Sequence, residues 1–217
     1  MTEYDKIEFY RNQSTLYNEE VTKYKSCMEE IALRSMYLKD FAASPPSQML
    51  DYQKIEYMCL QIRMLIELVL LSSLVANQRY YTKGLEKLKT EWRITSINNF
   101  LESVNKDYYP VPVEFIKDET QNTIRIEKLT GGFLTKEDLI DAYDTCCDYA
   151  HAENPFNNKR DYKIAYSKLK GWVEGIHRLT ANHTIQLEGI SQQFGVMVFY
   201  KKPVEVYVIY LRMDDLT

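Results

Sequence analysis

The chain has 217 residues, a formal net charge of −4 at pH 7, a pI near 5.5, and a hydrophobic content of 45%. A chain of this composition can bury a sizeable core, which excludes wholesale disorder. Its net negative charge excludes the class of proteins whose whole surface binds nucleic acid, but it does not exclude a local basic patch. The seven Gly and six Pro residues leave little room for a flexible linker, which favours a single domain over residues 1–217.

Cysteine use and hydropathy bear on where the protein resides. The chain has four cysteines, Cys27, Cys59, Cys146 and Cys147. Two of them are adjacent, and no disulfide framework is indicated. The first ten residues, MTEYDKIEFY, lack the basic and apolar regions of a signal peptide. The apolar stretch Met64 to Ala76 is interrupted by Glu67 and is shorter than the roughly 20 residues that cross a bilayer. We therefore expect a cytoplasmic protein that contacts no membrane.

The first half of the chain predicts three long helices, at about 14–43, 47–77 and 82–105. A mainly apolar stripe follows alternating spacings of four and three in the first helix: Tyr17, Val21, Tyr24, Met28, Ile31, Ser35 and Leu38. Pro45 and Pro46 separate this helix from the second, because proline removes a backbone donor. The second helix is apolar on nearly all sides over residues 58–71, which is typical of the middle helix of a bundle.

From Pro110 the apolar period changes to two, which predicts a hairpin over about 110–129 with its turn at 118–122. Thr135 and Asp138 resemble a capping box that opens a helix ending near residue 151, and a further helix is predicted over 159–182. Strands at 184–190, 195–200 and 204–211 form a predicted β-meander over 184–211. The fold class is therefore mainly α (α+β), a helical bundle over about 14–183 with a small antiparallel sheet at the C-terminal end.

One group of polar residues accompanies the central apolar helix. Arg63 and Glu67 lie four residues apart and share a helix face, so if buried they must satisfy each other or a third group. The polar run that ends the 135–151 helix offers Tyr143, His151 and Asn154. We predict a binding site or buried polar cluster made by these five residues. Alternatively, His151 stabilises the C-terminus of its own helix.

A second polar string contains Arg178, Asn182 and His183. A histidine can move protons while an arginine neutralises a phosphate, the minimum set for cutting RNA through its 2'-hydroxyl without a metal. Asn182 would orient the substrate. An ordinary helix end explains Arg178 and His183 equally well. Neither a metal site nor a cofactor is expected, because Cys147 and His151 lack two further ligands and no glycine-rich phosphate loop occurs.

Together, the R-x-x-x-E element Arg63 to Glu67 on a central apolar helix and the R-x(4–6)-H string Arg178 to His183 resemble the HEPN superfamily of prokaryotic defence and toxin systems. The resemblance extends over about residues 14–183. It implies a catalytic pair of Arg178 and His183, a homodimer that brings two pairs into one cleft, and a role in antiviral defence or a toxin–antitoxin system. The chain departs from the family where Leu179 follows Arg178 and where the string runs directly into a predicted strand.

Two functions follow from these patterns. The first is an HEPN-like protein of a bacterial or phage conflict system that engages RNA or nucleotide, as a metal-independent endoribonuclease in its enzymatic version. The second is a non-catalytic interaction or scaffold protein that acts through a homodimer or partner-protein interface, for which 18 Tyr residues supply surface. The basic residues between Lys159 and Lys170 have two interpretations, a solvated helix face and a phosphate-binding face. We favour the solvated face, because helix surfaces commonly carry such charges.

Overall fold

The computed structural model describes residues 18–43, 51–78, 93–118, 123–152, 154–156, 160–188 and 192–212. Within these ranges the chain forms five helices and five strands. The helices are α1 (Asn18–Ala43), α2 (Asp51–Ala76), α3 (Ile94–Val104), α4 (Lys136–Ala150) and α5 (Tyr162–Ala181). The strands are β1 (Val111–Asp118), β2 (Thr123–Lys128), β3 (Asn182–Gln186), β4 (Gln192–Phe199) and β5 (Glu205–Arg212). The mainly α (α+β) class predicted from the sequence is confirmed.

The centre of the helical part is α2, which packs against α1, α3, α4 and α5. Many of its apolar residues are buried, and these occur along its whole length: Ile55, Met58, Ile62, Leu65, Ile66, Val69 and Leu70. This is the packing expected for a helix without a continuous polar face. The segment Tyr52–Ala76 is long and apolar enough to span a bilayer by length and composition, and 56% of its most apolar window is buried in the protein.

The five strands form one antiparallel sheet with the order β2-β1-β3-β4-β5. Its last three strands are the predicted meander, and its first two are the predicted hairpin. The sequence did not indicate that the hairpin and the meander form a single sheet. They are joined by the pairing of β1 with β3, in which Val111 lies opposite Thr184 and Pro112 opposite His183. As a result β3 lies in the middle of the sheet. The predicted strand at 184–190 begins instead at Asn182, directly after α5 ends at Ala181.

The boundaries of the last two helices follow from their N-terminal caps. The side chain of Thr135 accepts a hydrogen bond from the backbone N–H of Asp138, so α4 begins at Lys136 as the capping pattern indicated. Asp161 accepts from the N–H groups of Lys163 and Ile164, which places the start of α5 at Tyr162 instead of residue 159. The parts of these predictions at residues 14–17, 47–50, 82–92, 119–122, 159 and 189–190 lie outside the described residues.

A close contact fixes α5 against the loop that precedes α4. Leu134 donates its backbone N–H to the carbonyl of Gly175 at 3.1 Å. A Cβ atom at Gly175 would lie 2.9 Å from that nitrogen, so any larger residue would push the loop away. The Tyr109 hydroxyl donates to the Leu134 carbonyl at 2.9 Å and anchors the loop from the other side.

Candidate functional site

His183, the predicted proton-transfer residue, lies in the interior of the protein. It is the second residue of β3, and none of its surface is exposed. Its Nε2 atom lies 2.6 Å from the hydroxyl oxygen of Tyr24 on α1, and one proton is shared in this hydrogen bond. The Tyr24 ring also packs edge-on against Phe194 of β4. The imidazole therefore joins α1 to the sheet.

The surroundings of His183 favour its neutral form. Burial lowers the pKa of His183 from 6.5 to about 4, and a backbone interaction with Thr180 opposes part of this shift. Burial raises the pKa of Tyr24, against a smaller opposing effect of Ser72. At neutral pH both side chains are uncharged. The Nδ1 atom of His183 has no well-aligned hydrogen-bond partner among the described residues.

The structure does not bring Arg178 and Asn182 into a shared cleft with His183. Arg178 is exposed in the last turn of α5, and its guanidinium lies against Gly132, whose φ is +80°. Asn182 caps the C-terminal end of α5 and is half-buried. A proton-transfer role requires contact between His183 and a substrate, which its burial prevents in this arrangement. The geometry therefore does not support the predicted catalytic set.

Three residues of the other predicted group do meet. Tyr143 of α4 donates its hydroxyl to Oε1 of Glu67 at 3.0 Å and accepts from Nη2 of Arg63 at 3.3 Å. The guanidinium carbon of Arg63 also lies 5.2 Å from the centre of the Tyr143 ring. Arg63 and Glu67 are thus connected through hydrogen bonds to the Tyr143 hydroxyl instead of forming a direct ion pair. The contact links α4 to α2 and is half-buried.

The electrostatics of this group reflect its mixed charges. The hydrogen bond that Arg63 donates to the Tyr143 hydroxyl raises the pKa of Arg63, and the nearby carboxylate of Glu67 adds to this effect. Burial raises the pKa of Tyr143, which Arg63 opposes. Burial likewise raises the pKa of Cys147, with Arg63 again acting in the opposite direction. Neither Tyr143 nor Cys147 is therefore activated as an anion.

His151 and Asn154, expected in the same group, lie elsewhere. Both are exposed beyond the C-terminal end of α4. The Asn154 side chain accepts from the N–H of Phe156 within its own turn. The end of α4 is stabilised by Arg160, which donates to the carbonyls of Asp148 at 2.6 Å and His151 at 2.8 Å. An arginine from the following segment thus occupies the place that the sequence assigned to His151.

Two features of the surface and core were not indicated by the sequence. The first is the hydroxyl of Tyr24, which completes the His183 contact, whereas the helical period indicates only an apolar position there. The second is the contact between His177 of α5 and Tyr200, whose ring centres lie 3.9 Å apart. Within the described ranges, no group of three or more His, Cys, Asp or Glu residues is arranged to hold a metal ion.

A set of large apolar side chains is exposed on α1 and α2, and we call it the α1–α2 face. Its members are between 38% and 57% exposed: Leu33, Tyr37, Phe41, Tyr57 and Leu60. The first three follow one another at four-residue intervals on one side of α1. The rings of Phe41 and Tyr57 meet edge to face with their centres 4.8 Å apart, which joins the two helices into one surface.

Comparison with known proteins identifies no relative: no protein-family model, curated protein or solved structure matches this chain. The fold and the geometry of its residues are therefore the basis for any functional proposal.

Proposed function

We propose that this protein is a non-catalytic interaction protein that binds a protein partner through the α1–α2 face. The observation that carries the proposal is the exposure of five large apolar side chains on two adjacent helices. Single apolar residues at a surface need no explanation, but a contiguous set with aromatic members is typical of a protein interface. Tyr and Phe are also the residue types that supply much binding energy for little conformational entropy.

The arrangement of the polar residues supports the same proposal. The buried contact of His183 with Tyr24 and the bridged contact of Arg63 with Tyr143 each connect two elements of the fold. In each contact a tyrosine hydroxyl supplies a hydrogen-bond partner to a polar side chain of another element, which is a structural role. The HEPN-like endoribonuclease remains a prediction from sequence resemblance, and the burial of His183 gives it no support.

The interaction can be tested by photo-crosslinking in cells. A photo-reactive benzoylphenylalanine in place of Tyr37 is expected to give a discrete protein adduct, identified by mass spectrometry. Tyr57→Glu on the same face should remove that adduct, because it places a charge in the contact. The matched control carries the same crosslinker in place of Glu114, which is exposed on β1. Absence of an adduct, or the same adduct from both positions, would contradict the proposal.

The competing activity is tested with a mixed RNA pool, with and without EDTA. Arg178→Ala is the appropriate variant, because Arg178 is exposed and its loss leaves the core intact. We expect the protein and this variant to leave the RNA equally intact. Cleavage that persists in EDTA and disappears in Arg178→Ala would overturn the non-catalytic assignment.

A further inference from the structure

We infer that the outer surfaces of α4 and α5 form an interface with a second copy of this chain, with a two-fold axis that runs along the groove between the helices. The inference rests on the proposed function, since it specifies a self-association surface for an interaction protein. It concerns a different part of the molecule from the α1–α2 face, so the two can be tested separately.

The groove between α4 and α5 has a mainly apolar floor. It encloses a cavity of about 50 Å³. Its lining consists of Thr145 and Tyr149 from α4 together with Ile164, Ala165, Lys168, Leu169 and Trp172 from α5. Ile164 is 59% exposed at the groove, and Phe156, in the turn that connects the two helices, is 94% exposed. Both are large apolar side chains that water contacts in the isolated chain.

The two helices carry opposite charges on their exposed sides. On α4, all exposed charged residues are acidic: Glu137, Asp138, Asp141, Asp144 and Asp148. Its one basic residue, Lys136, pairs with Glu102 of α3. On α5, the exposed charged residues are mainly basic: Lys163, Lys168, Lys170 and Arg178. Its one acidic residue, Glu174, pairs with Lys39 of α1 at 2.8 Å.

The acidic residues of α4 lie on one line. Glu137, Asp141, Asp144 and Asp148 follow the spacing of four, three and four that keeps side chains on the same side of a helix. Among the residues that the structure describes, none forms an ion pair with Asp141, Asp144 or Asp148. Repulsion between these neighbouring carboxylates is therefore not offset by an ion pair with any described residue. A basic helix placed alongside would relieve it.

A surface that is acidic on one side and basic on the other is complementary to itself under a suitable two-fold rotation. An axis along the groove places α4 of one copy over α5 of the other, twice in the same interface. The same rotation brings the two copies of Ile164 and of Phe156 near each other across the apolar floor. An axis across the groove would instead place each acidic helix on its own equivalent, which the charges disfavour.

The charges also decide between a second copy and a nucleic acid as the occupant. A phosphate backbone along the groove would meet Lys168 on one side, but it would approach the carboxylates of α4 on the other. A second copy meets opposite charge on both sides. The apolar floor supplies the burial that stabilises the complex, and the paired charges fix its orientation.

Light scattering coupled to size-exclusion chromatography tests the inference with two charge-reversal variants. One carries Asp141→Lys, Asp144→Lys and Asp148→Lys, so that both helices are basic. The other carries Lys163→Glu, Lys168→Glu and Lys170→Glu, so that both are acidic. The wild-type chain is expected to elute at twice its 25.7 kDa mass. Each variant alone should elute as a monomer, and an equimolar mixture should restore the dimer mass.

A third variant serves as the control for net charge. It carries Glu29→Lys, Glu56→Lys and Glu114→Lys, three exposed carboxylates away from the groove. It changes net charge as much as the basic variant, and it should remain a dimer. Circular dichroism should show that all three variants retain the helix content of the wild type.

A monomeric wild-type chain, or variants that dimerise alone, would overturn the inference. So would two monomeric variants whose mixture stays monomeric. Crosslinking from position 37 is read separately: if it persists while dimerisation fails, the self-association is wrong and the proposed function stands. If dimerisation follows the charge rules while crosslinking from position 37 fails, the α1–α2 face is wrong and this interface stands.

Discussion

Two contacts in this protein use a tyrosine hydroxyl to hold an ionisable group, and they differ in their access to water. At the α5–β3 junction, Tyr24 bonds to His183 in a site that is fully buried, and both groups are neutral at pH 7. At the α2–α4 contact, Tyr143 bridges Arg63 and Glu67 where all three remain half-exposed. The buried contact contains no charged group, whereas the half-exposed contact places the charges of Arg63 and Glu67 on either side of one hydroxyl.

The difference shows that burial, more than residue type, determines what such a contact contributes. In the buried site, removal of one partner leaves a polar group that water cannot reach. In the half-exposed site, solvent replaces a lost partner at small cost. The α5–β3 junction is thus expected to dominate stability, although the α2–α4 contact contains the formal charges.

The largest expected effect is that of His183→Ala at pH 7.5 or above. The substitution leaves a cavity and an unpaired Tyr24 hydroxyl, and we expect it to lower the free energy of unfolding by about 3 kcal/mol. Arg178→Ala, five residues away and exposed, should cost about 0.5 kcal/mol or less. Urea unfolding followed by circular dichroism measures both. Equal losses in the two variants would mean that the junction does not have the assigned role.

The pH dependence of stability gives the next largest effect. The folded chain holds the pKa of His183 at about 4, below its ordinary value of 6.5, so the unfolded chain binds the proton first. The stabilisation is complete above the unfolded pKa and is lost as the pH falls toward about 4. Between about pH 7.5 and about pH 5 we expect a loss of about 2 kcal/mol from this residue.

Urea unfolding at these two pH values tests the assignment. The comparison is with His183→Gln, which keeps a polar side chain but cannot titrate in this range. His177, whose pKa burial also lowers, adds a contribution of the same sign that is common to both proteins. The variant should therefore show a shallower pH dependence than the wild type. An identical dependence in the two proteins would exclude His183 as its source.

A pair of glycines in α5 tests how tightly this helix packs against the loop that precedes α4. In Gly175→Ala the new Cβ meets the backbone of Leu134, and we expect a loss of about 1.5 kcal/mol. Gly171, one turn earlier, has nothing within 4 Å of its Cβ position. Gly171→Ala should therefore gain about 0.5 kcal/mol from helix propensity. Thermal unfolding of the two variants should show shifts of opposite sign, and a gain in both would contradict the tight contact.

The smallest effect is expected at the α2–α4 contact. Tyr143→Phe removes the bridging hydroxyl, and Arg63 and Glu67 then interact with solvent and each other, so we expect a loss of about 0.5 kcal/mol. Urea unfolding of this variant beside His183→Ala measures the contrast directly. A loss as large as that of His183→Ala would show that the half-exposed contact contributes as much to the free energy of unfolding as the buried one.

The sequence predicted those elements whose signals are local. The apolar period located the helices and strands, and Thr135 with Asp138 located the start of α4. The join between β1 and β3 escaped prediction, because the pairing of Val111 with Thr184 connects residues far apart in the chain and leaves no local pattern. Strand pairings of this kind depend on packing of the whole sheet.

The candidate site shows the same limit. The spacing of Arg63 and Glu67 correctly indicated that both need a partner, and Tyr143 fills that need. Burial of His183 could not be inferred, because the sequence Arg178 to His183 fits an exposed helix end as well as a strand that enters the core. The structure distinguishes the exposed helix end from the buried strand, because β3 begins at Asn182 and the imidazole of His183 is buried.

The direct passage from α5 to β3 has a mechanical consequence. Ala181 ends the helix and Asn182 begins the middle strand, so no loop separates the two elements. A displacement of α5 is therefore transmitted directly to the middle strand of the sheet. The helix and the strand are therefore expected to move as one body, and inserted glycines at this position would uncouple them.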